Sequence, residues 1–185
     1  ETTEDISDLS AGIYAVTATD ENGCSVTVDI EITEPEELTI EVVESDYNGF
    51  GVSCFGSSDG FVDVTILGGT GIYTYEWSNG DNSEDISDLV AGIYSVIATD
   101  ENGCSLTVDI EITEPEELTI EVVQSDYNGF GVSCFGSSDG FIDVTVEGGT
   151  GIYTYLWSND ETTEDISDLS AGIYAVTATD ENGCS

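Results

Sequence analysis

Apolar and polar residues alternate with a period of two along most of the chain. Leu38, Ile40 and Val42 are interleaved with Thr39 and Glu41, and Val62, Val64 and Ile66 with Asp63 and Thr65. Leu106, Val108, Ile110 and Ile112 are interleaved with Thr107, Asp109, Glu111 and Thr113. Because successive side chains of an extended strand point to opposite faces, this alternation predicts half-buried strands with one apolar and one acidic face. Tyr73, Tyr75 and Trp77 line one side of a further strand, and Tyr94, Val96 and Ala98 one side of another. No stretch carries a helical period. With short strands added at Gly51–Cys54 and around Asp85–Leu89, the pattern predicts seven strands per unit, spaced as in a tandem array of immunoglobulin-like β-sandwiches.

Turn signals separate the runs: Asp46-Tyr47-Asn48-Gly49, Ser57-Ser58-Asp59-Gly60, Gly68-Gly69-Thr70-Gly71, Asn79-Gly80 and Glu101-Asn102-Gly103. Asn and Gly tolerate the positive φ that tight hairpins demand. The segment Asp100-Glu101-Asn102-Gly103 matches only a fragment of a calcium loop, and a hairpin turn is the simpler reading of it.

The pattern repeats. Glu1 to Ser25 return unchanged as Glu161 to Ser185, and Cys24, Cys104 and Cys184 recur every 80 residues, as do Cys54 and Cys134, Trp77 and Trp157, and Pro35 and Pro115. An 80-residue unit is large enough to hold its own core, unlike the short repeats of solenoids. The expected organisation is the C-terminal part of one repeat over 1–34, a complete repeat over 35–114, and a third repeat over 115–185 that lacks its last strand.

Charge narrows the function. The chain has 40 Asp and Glu, no Lys, Arg or His, and a formal charge of −40. Such an imbalance often accompanies disorder, but 39% of the residues are hydrophobic and regularly placed, so folded units with an acidic skin are expected. Nucleic acid and anionic lipid are recognised through Lys and Arg, so neither is an expected partner, and no apolar run long enough for a membrane-spanning helix is present. Without His, Lys or Arg only carboxylates remain for catalysis. These alternate outward on strands and recur in every unit, which is not the arrangement of a cleft-facing acid pair. No enzyme activity is expected.

Lys–Asn isopeptide crosslinks are equally excluded, which leaves cystine as the covalent staple. If successive strands reverse direction, strand two ends at the pole where strand seven begins. That parity predicts Cys54–Cys104 and Cys134–Cys184 within units, each closing a loop of about 50 residues worth on the order of 4 kcal/mol in the chain-entropy model. Cys24 then requires a cysteine further upstream. Paired cysteines in small all-β units point to an oxidising compartment.

The same parity directs Asp46 and Asn48 of one unit toward Glu114, Glu116, Glu117, Asp139 and Asp180 at the next. So acidic a junction invites a bridging Ca²⁺, because hard cations favour several oxygen ligands. Trp77, Tyr75 and Tyr94 are expected in the core. Tyr47, Phe50 and Phe55 lie near turns, where packing within or between units is expected ahead of a role in adhesion.

The run from Val52 to Ser105 resembles the SprB repeat of gliding-motility adhesins from Bacteroidota. The resemblance rests on the Cys-x-Gly-x-x-Asp-Gly opening at Cys54 to Gly60 and on Gly68-Gly69-Thr70-Gly71 followed by Tyr73-x-Tyr75-x-Trp77. It extends to Leu89-x-Ala91-Gly92-x-Tyr94 and to the Asp100-x-Asn102-Gly103-Cys104 close. These features recur in the third repeat. The resemblance implies domains similar to the polycystic-kidney-disease-type immunoglobulin-like fold, in a long cell-surface filament exported by type IX secretion and moved by the gliding machinery. Neighbouring repeats, surface polysaccharide or other filament chains are the partners to expect. The alternative is a repeated calcium- or polysaccharide-binding module.

Overall fold

The computed structural model describes residues 5–185, so the first four residues of the partial repeat 1–34 lie outside it. The fold is all-β, and no helix occurs among the described residues. The complete repeat contains two three-stranded antiparallel sheets. One has the order β3 (Thr39–Glu44), β4 (Gly60–Leu67), β6 (Ile86–Leu89), and the other β5 (Thr74–Trp77), β7 (Gly92–Thr99), β8 (Ser105–Ile112).

The inward residues of both sheets meet in one core: Val62 and Val64 of β4, Ile86 and Leu89 of β6, Trp77 of β5, Val96 of β7, and Ile110 and Ile112 of β8. Tyr75 and Tyr94 pack against its edge, as their alternation predicts. Along β4 the alternation is complete, with Gly60, Val62, Val64 and Ile66 buried and the residues between them exposed. Polar tips are satisfied at the margin. The Trp77 indole donates to Ser83 O at 2.9 Å, and the Tyr75 hydroxyl donates to Glu84 Oε1 at 3.0 Å. Burial, and then the bond to and charge of Glu84, push the Tyr75 phenol up to about 12.

The third repeat reproduces this plan with β9 (Thr119–Gln124), β10 (Ser138–Glu147) and β12 (Ile166–Ser170) in one sheet, and β11 (Thr154–Trp157) and β13 (Val176–Thr179) in the other. Its smaller core is Val144, Trp157, Ile166 and Leu169. The opening segment forms a hairpin of β1 (Gly12–Thr19) and β2 (Ser25–Ile32), in register from Gly12↔Ile32 to Thr19↔Ser25, with Ile13, Val16, Val26, Val28 and Ile30 all exposed.

The complete unit departs from expectation in having six strands instead of seven. Gly51 to Cys54 form bends, not a strand, and the only pairing nearby is an isolated bridge between Tyr47 and Phe50. Gly51 N and Val52 N both donate to Thr113 O, at 2.9 and 3.1 Å, so this segment caps the far end of β8. Gly51 is needed there, because a Cβ on it would lie 2.8 Å from Ile112 Cγ2 and 3.0 Å from Thr113 N. The chain therefore does not cross back to the opposite pole between β3 and β4, and every parity assignment that relied on this crossing changes.

Candidate functional site: the junction between repeats

Two turns build the junction, one from each repeat. The first is the Cys54 loop of the complete repeat. Asp59 Oδ1 accepts from Ser53 N at 3.1 Å, and Ser57 N donates to Cys54 O at 3.0 Å, which folds the loop around the thiol position. Glu114 Oε2 accepts from Gly56 N at 2.8 Å and ties the loop to the end of β8.

The second is the 180–184 turn of the third repeat. Asp180 Oδ1 accepts from Asn182 N at 3.1 Å and Cys184 N at 2.8 Å, while Oδ2 accepts from Thr150 N at 2.8 Å and Thr150 Oγ1 at 3.1 Å. Burial works to raise the Asp180 pKa, but these donors outweigh it and hold the carboxyl below its usual range. Asp100 occupies the same position in the preceding unit with the same balance of causes. The Asp100–Gly103 segment is thus a hairpin turn whose carboxylate is spent on backbone amides.

Between these turns the covalent link runs from Cys54 to Cys184, across 130 residues and from one repeat to the next, with the Cα atoms 5.8 Å apart. This corrects the expected pairing. Cys54 does not join Cys104, nor Cys134 join Cys184; Cys24, Cys104 and Cys134 are free, exposed thiols. The reason is the missing strand together with β5 and β6, which run in the same direction instead of reversing. Cys54 sits beside Thr113 and Glu114 at the end of β8, whereas Cys104 immediately precedes its start. Eight residues of strand separate the two poles by about 26 Å, well beyond disulfide reach.

Asn182 completes the contact. Its Nδ2 donates to Ser53 O at 3.0 Å and Tyr47 O at 3.2 Å, and its Oδ1 accepts from Asn48 Nδ2 at 2.6 Å. Asn48 presents its amide from a left-handed conformation at φ 55°. Asn182 and Ser53 escaped the sequence reading because both look like ordinary turn residues. The signal that could have found them is the Gly- and Ser-rich composition of 49–60, which favours a loop over a strand.

The linker is fastened on both sides. Pro115 is fully buried while its counterpart Pro35 is exposed. Gly149 N donates to Glu116 O at 2.8 Å, and Gly148, at φ 83°, lies so close to Glu117 O that a Cβ would collide with it.

Of the seven residues suggested for a junctional cation, Glu116 and Glu117 line one recess with Cys54, Phe55 and Cys184. Asp46 instead accepts from Gly49 N, Asn48 bonds Asn182, Glu114 bonds Gly56, and Asp180 faces its own turn. Asp139 stands at the far end of the third repeat, where it holds Ser133 N at 3.0 Å; its counterpart Asp59 is the one at the junction. That displacement has the same cause as the altered pairing. Among the described residues no group of three or more His, Cys, Asp or Glu is placed to hold a metal ion.

Two outcomes follow for the junction. N182A removes three hydrogen bonds and is expected to cost about 1–3 kcal/mol, read by chemical denaturation, whereas N102A, at the exposed equivalent, changes stability by less than about 0.5 kcal/mol. Equal effects would mean that the contact across the junction carries no energy. The lowered pKa of Asp180 sets the second. Its contribution is present above the unfolded value of about 4 and fades as pH falls through the folded one, so the stability gap between wild type and D180N should be widest at neutral pH and close in acid.

Comparison with known proteins recovers the same repeat. The family model described as SprB repeat matches residues 52–82 and 132–162, two stretches in register with the 80-residue period. They contain the Cys54 and Cys134 loops and run through Trp77 and Trp157. No curated protein matches the chain. SprB repeats form a structural family found in cell-surface proteins and not a family of enzymes. Residues 52–82 and 132–162 are thus similar to SprB repeats, a similarity that supports a repeat module of a cell-surface, adhesin-like protein.

Proposed function

We propose that this segment is a stretch of extracellular stalk, built to hold a long surface filament stiff and to carry load along it, in a gliding-type adhesin exported by type IX secretion. The observation that carries this reading is the Cys54–Cys184 bond, because it spans the connection between units instead of closing one of them. A bond within a unit would strengthen a domain and leave the joint free. Here the joint itself is held by a covalent bond, by the bonds of Asn182 and by a linker clamped on both sides.

The bond also changes the load path. Tension applied at the two ends passes from residue 54 directly to residue 184, so the intervening chain, a sequence separation of 130, is bypassed. Only about 55 residues remain in series, a maximum of roughly 190 Å at 3.3–3.6 Å per residue. Neighbouring repeats are the natural partners of such a segment, and a polysaccharide-binding role would need an exposed site that no observed feature favours.

Single-molecule stretching tests the proposal. Under oxidising conditions the chain should stop extending near 190 Å, and reductant should release roughly 450 Å more. Full extension without reductant would overturn the stalk reading, and selective capture of the oxidised chain on a glycan array would replace it with a binding role.

A further inference from the structure

We propose that the inter-repeat bond recurs at every junction, so that Cys134 and Cys104 are the two open halves of a continuous disulfide ladder, each made to receive a further 80-residue unit. The proposal rests on the stalk reading and extends it from one joint to the whole array.

Each exposed thiol sits in a loop already shaped like a partner in the bond that forms. Around Cys134, Asp139 Oδ1 accepts from Ser133 N at 3.0 Å and Ser137 N donates to Cys134 O at 3.1 Å, repeating the contacts that shape the Cys54 loop. Around Cys104, Asp100 holds Asn102 N at 3.0 Å, Cys104 N at 2.8 Å and Thr70, repeating the Cys184 turn. Both halves are therefore folded before any partner arrives.

The surface around Cys134 is also that of an uncovered junction. Phe130, Val132 and Phe135 line an open apolar patch with Cys134, and Phe135 is fully exposed. At the occupied junction the counterparts are more buried: Phe55 retains 52% exposure, Phe50 is half-buried and Val52 is completely buried. On so anionic a chain, an apolar patch carrying a thiol fits a neighbour that brings its own thiol and no basic group. The Asp-x-Asn-Gly-Cys turn of another repeat is that neighbour, since its equivalent already occupies the Cys54 loop.

Bond formation is an ordinary exchange. One protein thiolate attacks a small-molecule disulfide such as oxidised glutathione and expels one thiol; the second protein thiolate then attacks the mixed disulfide and expels the other. Two protein thiols are oxidised to one cystine, and one glutathione disulfide is reduced to two thiols.

The mechanical consequence is specific. Because each bond runs from the loop of one unit to the turn of the next, successive bonds overlap along the chain. The shortest covalent path then needs only the 30 positions from a turn to the following loop, as from Cys104 to Cys134, for every two units. Fully stretched, that is roughly 100 Å per two units, so an oxidised filament could lengthen only modestly however many repeats it contains.

The test is the full chain lengthened by one more unit, a copy of residues 106–185 placed after Ser185, oxidised with glutathione disulfide, alkylated and mapped without reduction. The expected result is two bonds, Cys54–Cys184 and Cys134 to the added counterpart of Cys184, with Cys24, Cys104 and the added counterpart of Cys134 alkylated. C134S should abolish the second bond alone. If Cys54–Cys184 forms while Cys134 is alkylated or bonds elsewhere, the ladder is wrong and the single joint stands. If neither bond forms, both the ladder and the stalk reading fall.

Discussion

The bond from Cys54 to Cys184 holds together two bodies that electrostatics pushes apart. A chain of net charge −40 with no basic side chain cannot join its units by ion pairs, and nearby carboxylates on two units repel over a screening length of about 8 Å at physiological salt. What remains is attraction that needs no cation: a covalent bond, neutral amide contacts and apolar burial. The junction uses all three, in Cys54–Cys184, in Asn182 against Asn48, Tyr47 and Ser53, and in Pro115.

The same constraint explains how the acids nearest the turns are handled. Asp59, Asp100, Asp139 and Asp180 all accept hydrogen bonds from backbone amides, and each is held below its usual pKa. Amide N–H groups thus take the place that Lys and Arg have in most proteins, and they shape the two loops that carry the cysteines. No buried side-chain polar atom is left without a partner among the described residues. Acidity and loop geometry are here one arrangement.

Most of the fold was legible in the sequence because alternation reports burial directly. The strands around Ile40, Val64, Tyr75, Leu89, Val96 and Ile110 all form, and Trp77 lies in the core where its period places it. The Cys54 pairing was not legible, and the failure traces to two departures from strict strand reversal, the first made by four residues. Gly51 to Cys54 contain one apolar side chain, Val52, which is buried and therefore strand-like in pattern, but it is buried by capping β8 and not by pairing in a sheet. Period-two patterning does not separate those two ways of hiding a valine. A second departure acts with it: β5 and β6 run in the same direction, and the two together set Cys54 and Asp59 at the pole where β8 ends, Cys104 at the other, and Asp139 away from the junction.

Peptide mapping of the oxidised 185-residue chain tests the inter-repeat bond most directly. Trypsin has no site in it, but a glutamate-specific protease releases Cys54 in residues 45–76, Cys104 in 102–111, Cys134 in 122–147 and Cys184 in 182–185, all distinguishable by mass. Without reduction, 45–76 is expected joined to 182–185, with 102–111 and 122–147 recovered as free thiol peptides. Recovery of 45–76 joined to 102–111 would contradict the inter-repeat bond.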